Sequence, residues 1–182
     1  AELAKSFDVI APYAPGFGPA KDDLDKIAEG PLEITLHHFD LLDALDIDRA
    51  NVVGISIGAW MAAELAAIYP DCVNKLLLVN PLGIWLDDAQ GQDPFAQNPA
   101  EPTKILFSDE AMREQFLIEG HEMVDAIVGE MLNLRASAKF LWPIPDTGIS
   151  SRMARIKAPT LVVTSEHDAI VPSAHGPAWQ TG

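Results

Sequence analysis

The sequence has 182 residues, of which 48% are hydrophobic, and a formal net charge of −15. This length and apolar content suit one domain with a buried core and exclude global disorder. Its 12 Lys and Arg residues are scattered, so we expect no nucleic-acid surface. The single cysteine, Cys72, excludes an internal disulfide and lies beside an apolar run, which predicts an inert, partly buried thiol.

The sequence shows no signal peptide and no membrane span. Its longest uncharged stretch, residues 50–63, has 14 residues, which is too short to cross a bilayer. A lone cysteine suits a reducing compartment, so the sequence predicts a cytoplasmic location without membrane partners.

The first third of the chain predicts a strand, a loop and a helix. Residues 7–12 form an apolar run closed by proline and are predicted to be a strand. The glycines of residues 15–19 do not complete a phosphate-binding pattern. Residues 31–45 carry apolar side chains at helical spacing, and His37 and His38 are expected to be ordinary helix histidines.

Ser56 is expected at a tight strand-to-helix turn. Residues 51–55 read as a buried strand, and the alanine-rich residues 59–69 read as a buried helix. Such a turn requires a positive φ at the serine and brings Gly54 close to Gly58, so a Cβ at either glycine would obstruct it.

Two further strands complete the predicted core. Residues 73–79 and 159–164 are apolar and β-branched, and each is followed by polar or turn residues. Strands alternating with helices predict a doubly wound, mostly parallel α/β sheet with helices on both faces. Active sites of such sheets lie at the carboxyl ends of the strands, where both Ser56 and Asp168 fall.

Residues 85–155 differ from the core and are predicted to be a helical lid, inserted between core segments 1–84 and 156–182. Helices are expected at residues 111–118 and 123–134, and ten acids but only two bases lie between positions 87 and 125. The acidity is equally consistent with a solvated helix face. Five aromatic residues are candidate substrate walls or ordinary lid core: Trp85, Phe95, Phe107, Phe116 and Trp142.

The chemistry that these positions favour is nucleophilic catalysis by serine. A serine hydroxyl needs a base, and a carboxylate behind a histidine base fixes its tautomer. Asp168 is the candidate carboxylate, and the alternative is that it is a simple turn residue without a catalytic role. Asp87 and Asp88, after the strand at residues 73–79, are the rival acids.

The sequence resembles the α/β-hydrolase superfamily, and within it the lid-bearing serine esterases and carbon–carbon-bond hydrolases. The resemblance rests on the order of four blocks: residues 15–18, 42–58, 73–83 and 158–172. It implies that Gly54 to Gly58 form a nucleophile elbow, that Ser56 is the nucleophile, that Ile57 donates its N–H to the oxyanion, and that Asp168 is the triad acid.

Two departures qualify the resemblance. Relatives have an earlier His-Gly loop with a second oxyanion donor, and a catalytic histidine some tens of residues after the acid, whereas 14 residues follow Asp168 here. His175 is a weak substitute, His167 is expected to point elsewhere, and His121 belongs to the predicted lid. We therefore expect a hydrolase portion that lacks residues at both ends and has little activity alone.

The sequence thus predicts a serine hydrolase that acts, in its full-length form, on an apolar or aromatic ester or ketone. The alternative is a non-catalytic protein that binds a ligand or partner on a hydrolase scaffold. A metal-dependent hydrolase is disfavoured, because Asp125 stands where a second histidine would follow His121 and Glu122. No metal or other cofactor is expected, and the sequence does not specify an oligomeric state.

Overall fold

The computed structural model describes residues 2–96, 103–115, 122–141 and 146–180. Within these residues, the sheet has three parallel strands in the order β1 (Ala50–Ile55), β2 (Val73–Val79) and β3 (Thr160–Val163). The helices are α1 (Pro31–Ala44), α2 (Ile57–Ile68), α3 (Thr103–Leu106), α4 (Glu110–Gln115), α5 (Glu122–Leu141) and α6 (His175–Ala178).

Helix α2 lies against the sheet and forms the centre of the core. Its alanines at positions 59, 62, 63, 66 and 67 are all buried, as their spacing predicts. Because alanine has a small side chain, α2 can approach β1 and β2 closely. On the strands, Leu76 and Leu78 point into this interface and are almost completely buried.

Helix α1 packs on α2, and its predicted range of residues 31–45 is confirmed to within one residue. Ile34 and Thr35 are fully buried on its inner face. At the far end of α2, the rings of Phe39 and Tyr69 stack with centroids 3.8 Å apart. These contacts make α1 a second layer over α2.

The described part of residues 85–155 contains the helices α3, α4 and α5, in agreement with the helical pattern of the sequence. The C-terminal half of α5 is anchored on the core, since Ala136 and Phe140 are fully buried. The Lys139 ammonium donates to the Leu24 carbonyl at 2.7 Å, and the Lys139 carbonyl accepts from the Gly30 N–H at 3.0 Å. In the N-terminal half of α5, the apolar side chains of Val124, Val128 and Met131 are exposed.

A buried ion pair links α2 to the segment that precedes β3. Glu64 is 2% exposed, and its carboxylate accepts two hydrogen bonds from Arg152, at 2.9 and 2.5 Å, and one from Trp60 Nε1 at 3.2 Å. Arg152 also donates to the Thr147 carbonyl at 3.0 Å. The hydrogen bond to Glu64 raises the pKa of Arg152.

The second face of the sheet is open to solvent in the part of the chain that the structure describes. Val53, Ile55 and Leu161 are 54%, 65% and 61% exposed there, and Val163 is 41% exposed. Among the described helices, α2 makes most of the contacts with the strands. The sequence predicted helices on both faces of the sheet, whereas the described residues place a helix against one face only.

The strand predicted at residues 7–12 does not form. These residues are not paired with any described strand, and Phe7, Val9 and Ile10 are half exposed or more. A strand needs a neighbour for its backbone hydrogen bonds, and this segment has none among the described residues. No helix of the described residues is long and apolar enough to cross a membrane.

Candidate active site

Ser56 lies at the turn between β1 and α2, in the strained backbone conformation that its position predicts. Its φ is 54° and its ψ is −116°, values that few non-glycine residues adopt. The turn is held on both sides: the Ser56 N–H donates to the Val79 carbonyl at 2.9 Å, and the Ser56 carbonyl accepts from the Ala59 N–H at 3.0 Å. The side chain therefore projects from a fixed backbone.

The two glycines that flank Ser56 differ in their surroundings. A Cβ on Gly54 would lie 2.2 Å from the Gly58 carbonyl oxygen and 2.5 Å from the Ala59 Cα, so this position excludes a side chain. A Cβ on Gly58 would meet nothing within 4 Å. The steric argument is correct for Gly54 and wrong for Gly58, because position 58 faces away from the close contact between the two residues.

The carboxyl ends of β2 and β3 are tied together by Asn80. Its N–H donates to the Val163 carbonyl at 2.7 Å, and its side chain bonds Ser165 twice: Nδ2 donates to the hydroxyl at 2.9 Å, and Oδ1 accepts from the N–H at 2.7 Å. Asn80 has a φ of 44°, which asparagine tolerates better than most residues. Sequence reasoning missed this pair; the signal was an asparagine immediately after a strand.

A cavity of about 470 Å³ opens at these strand ends. Ile55, Ser56 and Asn80 form its floor, residues 165–170 form one wall, and residues 105–109 together with Met112 form the other. The cavity therefore contains both Ser56 and Asp168, the two candidate catalytic residues of the described chain. The Ile57 N–H is the first of α2 and has no acceptor within the helix, as expected at a helix N-terminus.

Asp168 is half-buried and held by backbone hydrogen bonds. Its Oδ1 accepts from the N–H groups of Ile170 and Val171, both at 2.8 Å. These bonds are those expected if Asp168 is a simple turn residue, and they also hold its carboxylate at the cavity wall. The rival acids Asp87 and Asp88 are exposed and do not line the cavity, and Asp87 accepts from Trp85 Nε1 at 2.8 Å.

His175 is buried and bonded elsewhere. Its Nε2 donates to the Ala89 carbonyl at 2.8 Å, its Nδ1 has no partner among the described residues, and it is not among those that line the cavity. His167 lines the cavity and is exposed. The hydrogen bonds of the described residues include none between a histidine and the side chain of Ser56 or Asp168. His121 lies outside the described residues.

The candidate aromatic walls have different positions. Phe107 lines the cavity, whereas Trp85 and Phe95 do not, and Phe95 packs against the core. Phe116 and Trp142 lie outside the described residues. The aliphatic wall at Ile105, Leu106 and Met112 was not foreseen, because short apolar segments of a helical region have no distinctive spacing.

Cys72 and His38, which the sequence analysis also considered, are bonded to backbone carbonyls. Cys72 is buried, its thiol donates to the Tyr69 carbonyl at 3.1 Å, and burial raises the pKa of the thiol, which fits the predicted inert cysteine. Burial also lowers the pKa of His38, whose ring bonds the Ile34 carbonyl on α1. The described residues contain no group of three or more side chains that could hold a metal ion.

The fold and this turn define an α/β protein of the hydrolase type. Residues 1–181 match the family model of the alpha/beta hydrolase fold, and the chain belongs to this family.

Curated relatives carry hydrolase names. The chain is 32% identical over 156 residues to a 2-hydroxy-6-oxo-6-phenylhexa-2,4-dienoate hydrolase of Comamonas testosteroni, with 75% of this chain and 52% of the relative covered. It is 31% identical over 192 residues to a 2-hydroxymuconate semialdehyde hydrolase of Pseudomonas sp. strain CF600, with 94% and 63% covered. The chain thus spans about half to two thirds of the length of these relatives.

Solved structures give the same fold. The meta-cleavage product hydrolase of Pseudomonas fluorescens IP01 superimposes with a TM-score of 0.71 at 20% identity, covering 98% of this chain and 68% of that one.

Proposed function

We propose that the full-length protein is a serine hydrolase that transfers an acyl group to Ser56 and then to water, acting on an ester or on an activated carbon–carbon bond beside a carbonyl. The observation that carries the proposal is the strained turn at Ser56, at the carboxyl end of β1 and in one cavity with Asp168. Hydrolase names among the relatives support it.

The proposed reaction has two steps. Ser56 Oγ attacks the carbonyl carbon while a base takes its proton, and the departing alkoxide or carbanion is protonated. Water then cleaves the acyl-serine, which releases an acid and restores the hydroxyl. The Ile57 N–H, at the positive end of α2, donates to the oxyanion in both steps. Asp168 orients a histidine that comes from outside these 182 residues.

Residues 85–155 are proposed to act as the lid of this site. The proposal is supported by residues 105–109 and Met112, which line the same cavity as Ser56. In this arrangement the lid supplies most of the apolar contacts to the acyl group, and the core supplies the chemistry.

Labelling of the full-length protein with a fluorophosphonate tests the nucleophile. We expect one label per chain in the wild type and none in Ser56→Ala, because the probe reacts with an activated serine. Ser108→Ala is the matched control, since Ser108 also lines the cavity, and it should label like the wild type. Labelling that survives Ser56→Ala would refute the assignment.

The second candidate is a non-catalytic ligand-binding protein on the same scaffold. It is favoured by the surroundings of His175, the weak candidate base, whose ring is buried and bonded to the Ala89 carbonyl. Tight binding of a small apolar ester by the full-length protein, without turnover and without labelling, would support this candidate over the hydrolase.

A further inference from the structure

The cavity beside Ser56 is acidic. Asp109 lies on one wall, Glu166 and Asp168 lie on the other, and the described lining residues include no Lys or Arg. The one basic side chain among them is His167. A substrate that enters the cavity therefore meets three carboxylates. Arg113 brings one positive charge next to the lining, where it donates to the carbonyls of Phe107 and Ser108, so the described groups around the cavity keep a net negative charge.

The rest of the lining is largely apolar. Ile55 lies at the floor, Ile170 lies beside Asp168, and Ile105, Leu106, Phe107 and Met112 form the opposite wall. These side chains can cover an acyl chain and remove water from it. They offer no hydrogen-bond donor, so a carboxylate that lies against them loses hydration without compensation. Side-chain donors in the described lining are confined to its serine, asparagine and histidine residues.

The size of the cavity makes this charge effective throughout. A sphere of 470 Å³ is about 10 Å across, close to the Debye length of about 8 Å at physiological salt. No place inside is therefore fully screened from the acidic walls. Apolar walls strengthen the effect, because a cleft of low polarity with one sign of charge focuses its field.

We propose that this site takes an acyl group without negative charge and discriminates against acyl groups that carry a carboxylate. The proposal rests on the proposed hydrolase function for its reaction. The substrate class is then a neutral, apolar ester or ketone.

A pair of esters tests the proposal on the full-length protein. The p-nitrophenyl ester of hexanoate and the mono-p-nitrophenyl ester of adipate have the same number of acyl carbons and differ in one terminal carboxylate. We expect kcat/KM to be at least about 10-fold higher for the hexanoate ester, the size of a repulsion between unit charges across a partly screened cavity. Equal values, or a preference for adipate, would overturn the proposal.

Charge-neutral variants trace the effect to the walls. The double variant Asp109→Asn, Glu166→Gln removes two charges with little change of shape. The amide oxygen that replaces Asp109 Oδ1 can still accept the two N–H bonds that this atom now accepts from Ala111 and Met112. We expect the hexanoate preference to fall by about 3-fold or more. Asp40→Asn, an exposed acid on α1, is the control and should keep the wild-type preference.

Equilibrium binding separates this proposal from the hydrolase assignment. The p-nitroanilides of hexanoic acid and of adipic acid mimic the two esters and resist cleavage. Tighter binding of the hexanoyl anilide without any ester turnover would remove the hydrolase function and leave the charge selectivity standing. Turnover of both esters at equal rates would support the hydrolase function and remove the charge selectivity. Failure of both anilides to bind would overturn the charge selectivity.

Discussion

Gly54 and Gly58 occupy equivalent places in the sequence motif but unequal places in the structure. We expect Gly54→Ala to lower the free energy of unfolding by about 3 kcal/mol, because the new Cβ would overlap the backbone at Gly58 and force the turn apart. Gly58→Ala should be neutral or stabilising by up to about 1 kcal/mol, since alanine favours the helix. Urea denaturation measures both changes. Equal losses of unfolding free energy in the two variants would contradict the conclusion that a side chain fits at position 58 but not at position 54.

Asp168 has a structural and a proposed catalytic role, and one substitution separates them. Asp168→Asn keeps a side-chain oxygen for the N–H groups of Ile170 and Val171 but removes the charge. If Asp168 orients the base, kcat of the full-length enzyme should fall by about 10⁴-fold with little change in unfolding free energy.

A different result for Asp168→Asn would argue against a catalytic role for Asp168. A turn residue predicts near-normal turnover in Asp168→Asn, and it predicts a loss of stability in Asp168→Ala, where both hydrogen bonds disappear. Measuring kcat and urea stability for the two variants therefore distinguishes the readings.

At the scale of the elements, the Glu64–Arg152 pair fastens α2 to the segment before β3. Arg152→Met would leave the Glu64 carboxylate buried without its main partner, and we expect the free energy of unfolding to fall by about 3 kcal/mol or more. The double variant Glu64→Leu, Arg152→Met should recover most of this loss, because it removes the buried charge as well.

Arg155→Met is the matched control for this experiment. Arg155 also reaches α2, but it donates to a backbone carbonyl, that of Ala67, at 2.9 Å, and its loss should cost about 1 kcal/mol. Losses that simply add in the double variant would contradict a coupled pair.

Elements with a strong local pattern were predictable from the sequence. Helix α1, the strand–turn–helix around Ser56 and strand β2 depend on propensities and spacings that lie within about 15 residues. Residues 7–12 have an equally good strand pattern and form no strand, because pairing depends on a neighbour that the pattern does not contain. The same reason explains why Asn80 and Ser165, 85 residues apart, could not be foreseen as partners.

At the scale of the whole molecule, the described part is a sheet covered on one face. Val53, Ile55, Leu161 and Val163 lie on the open face and are all well exposed, while the face against α2 is closely packed. Exposed apolar patches of this kind are typical of surfaces that another part of a protein covers. The sequence predicted the parallel sheet and the strand ends that meet at Ser56, but it did not reveal which face the described helices would occupy.

The sequence separations between the paired strands also imply an order of folding. Asn51 and Asn74, which join β1 to β2, are 23 residues apart, whereas Asn80 and Ser165, which join β2 to β3, are 85 residues apart. Closing the longer loop costs about 1 kcal/mol more chain entropy, so we expect β1, α2 and β2 to form first during folding. The turn at Ser56 would then form before β3 brings Asp168 to the same end of the sheet.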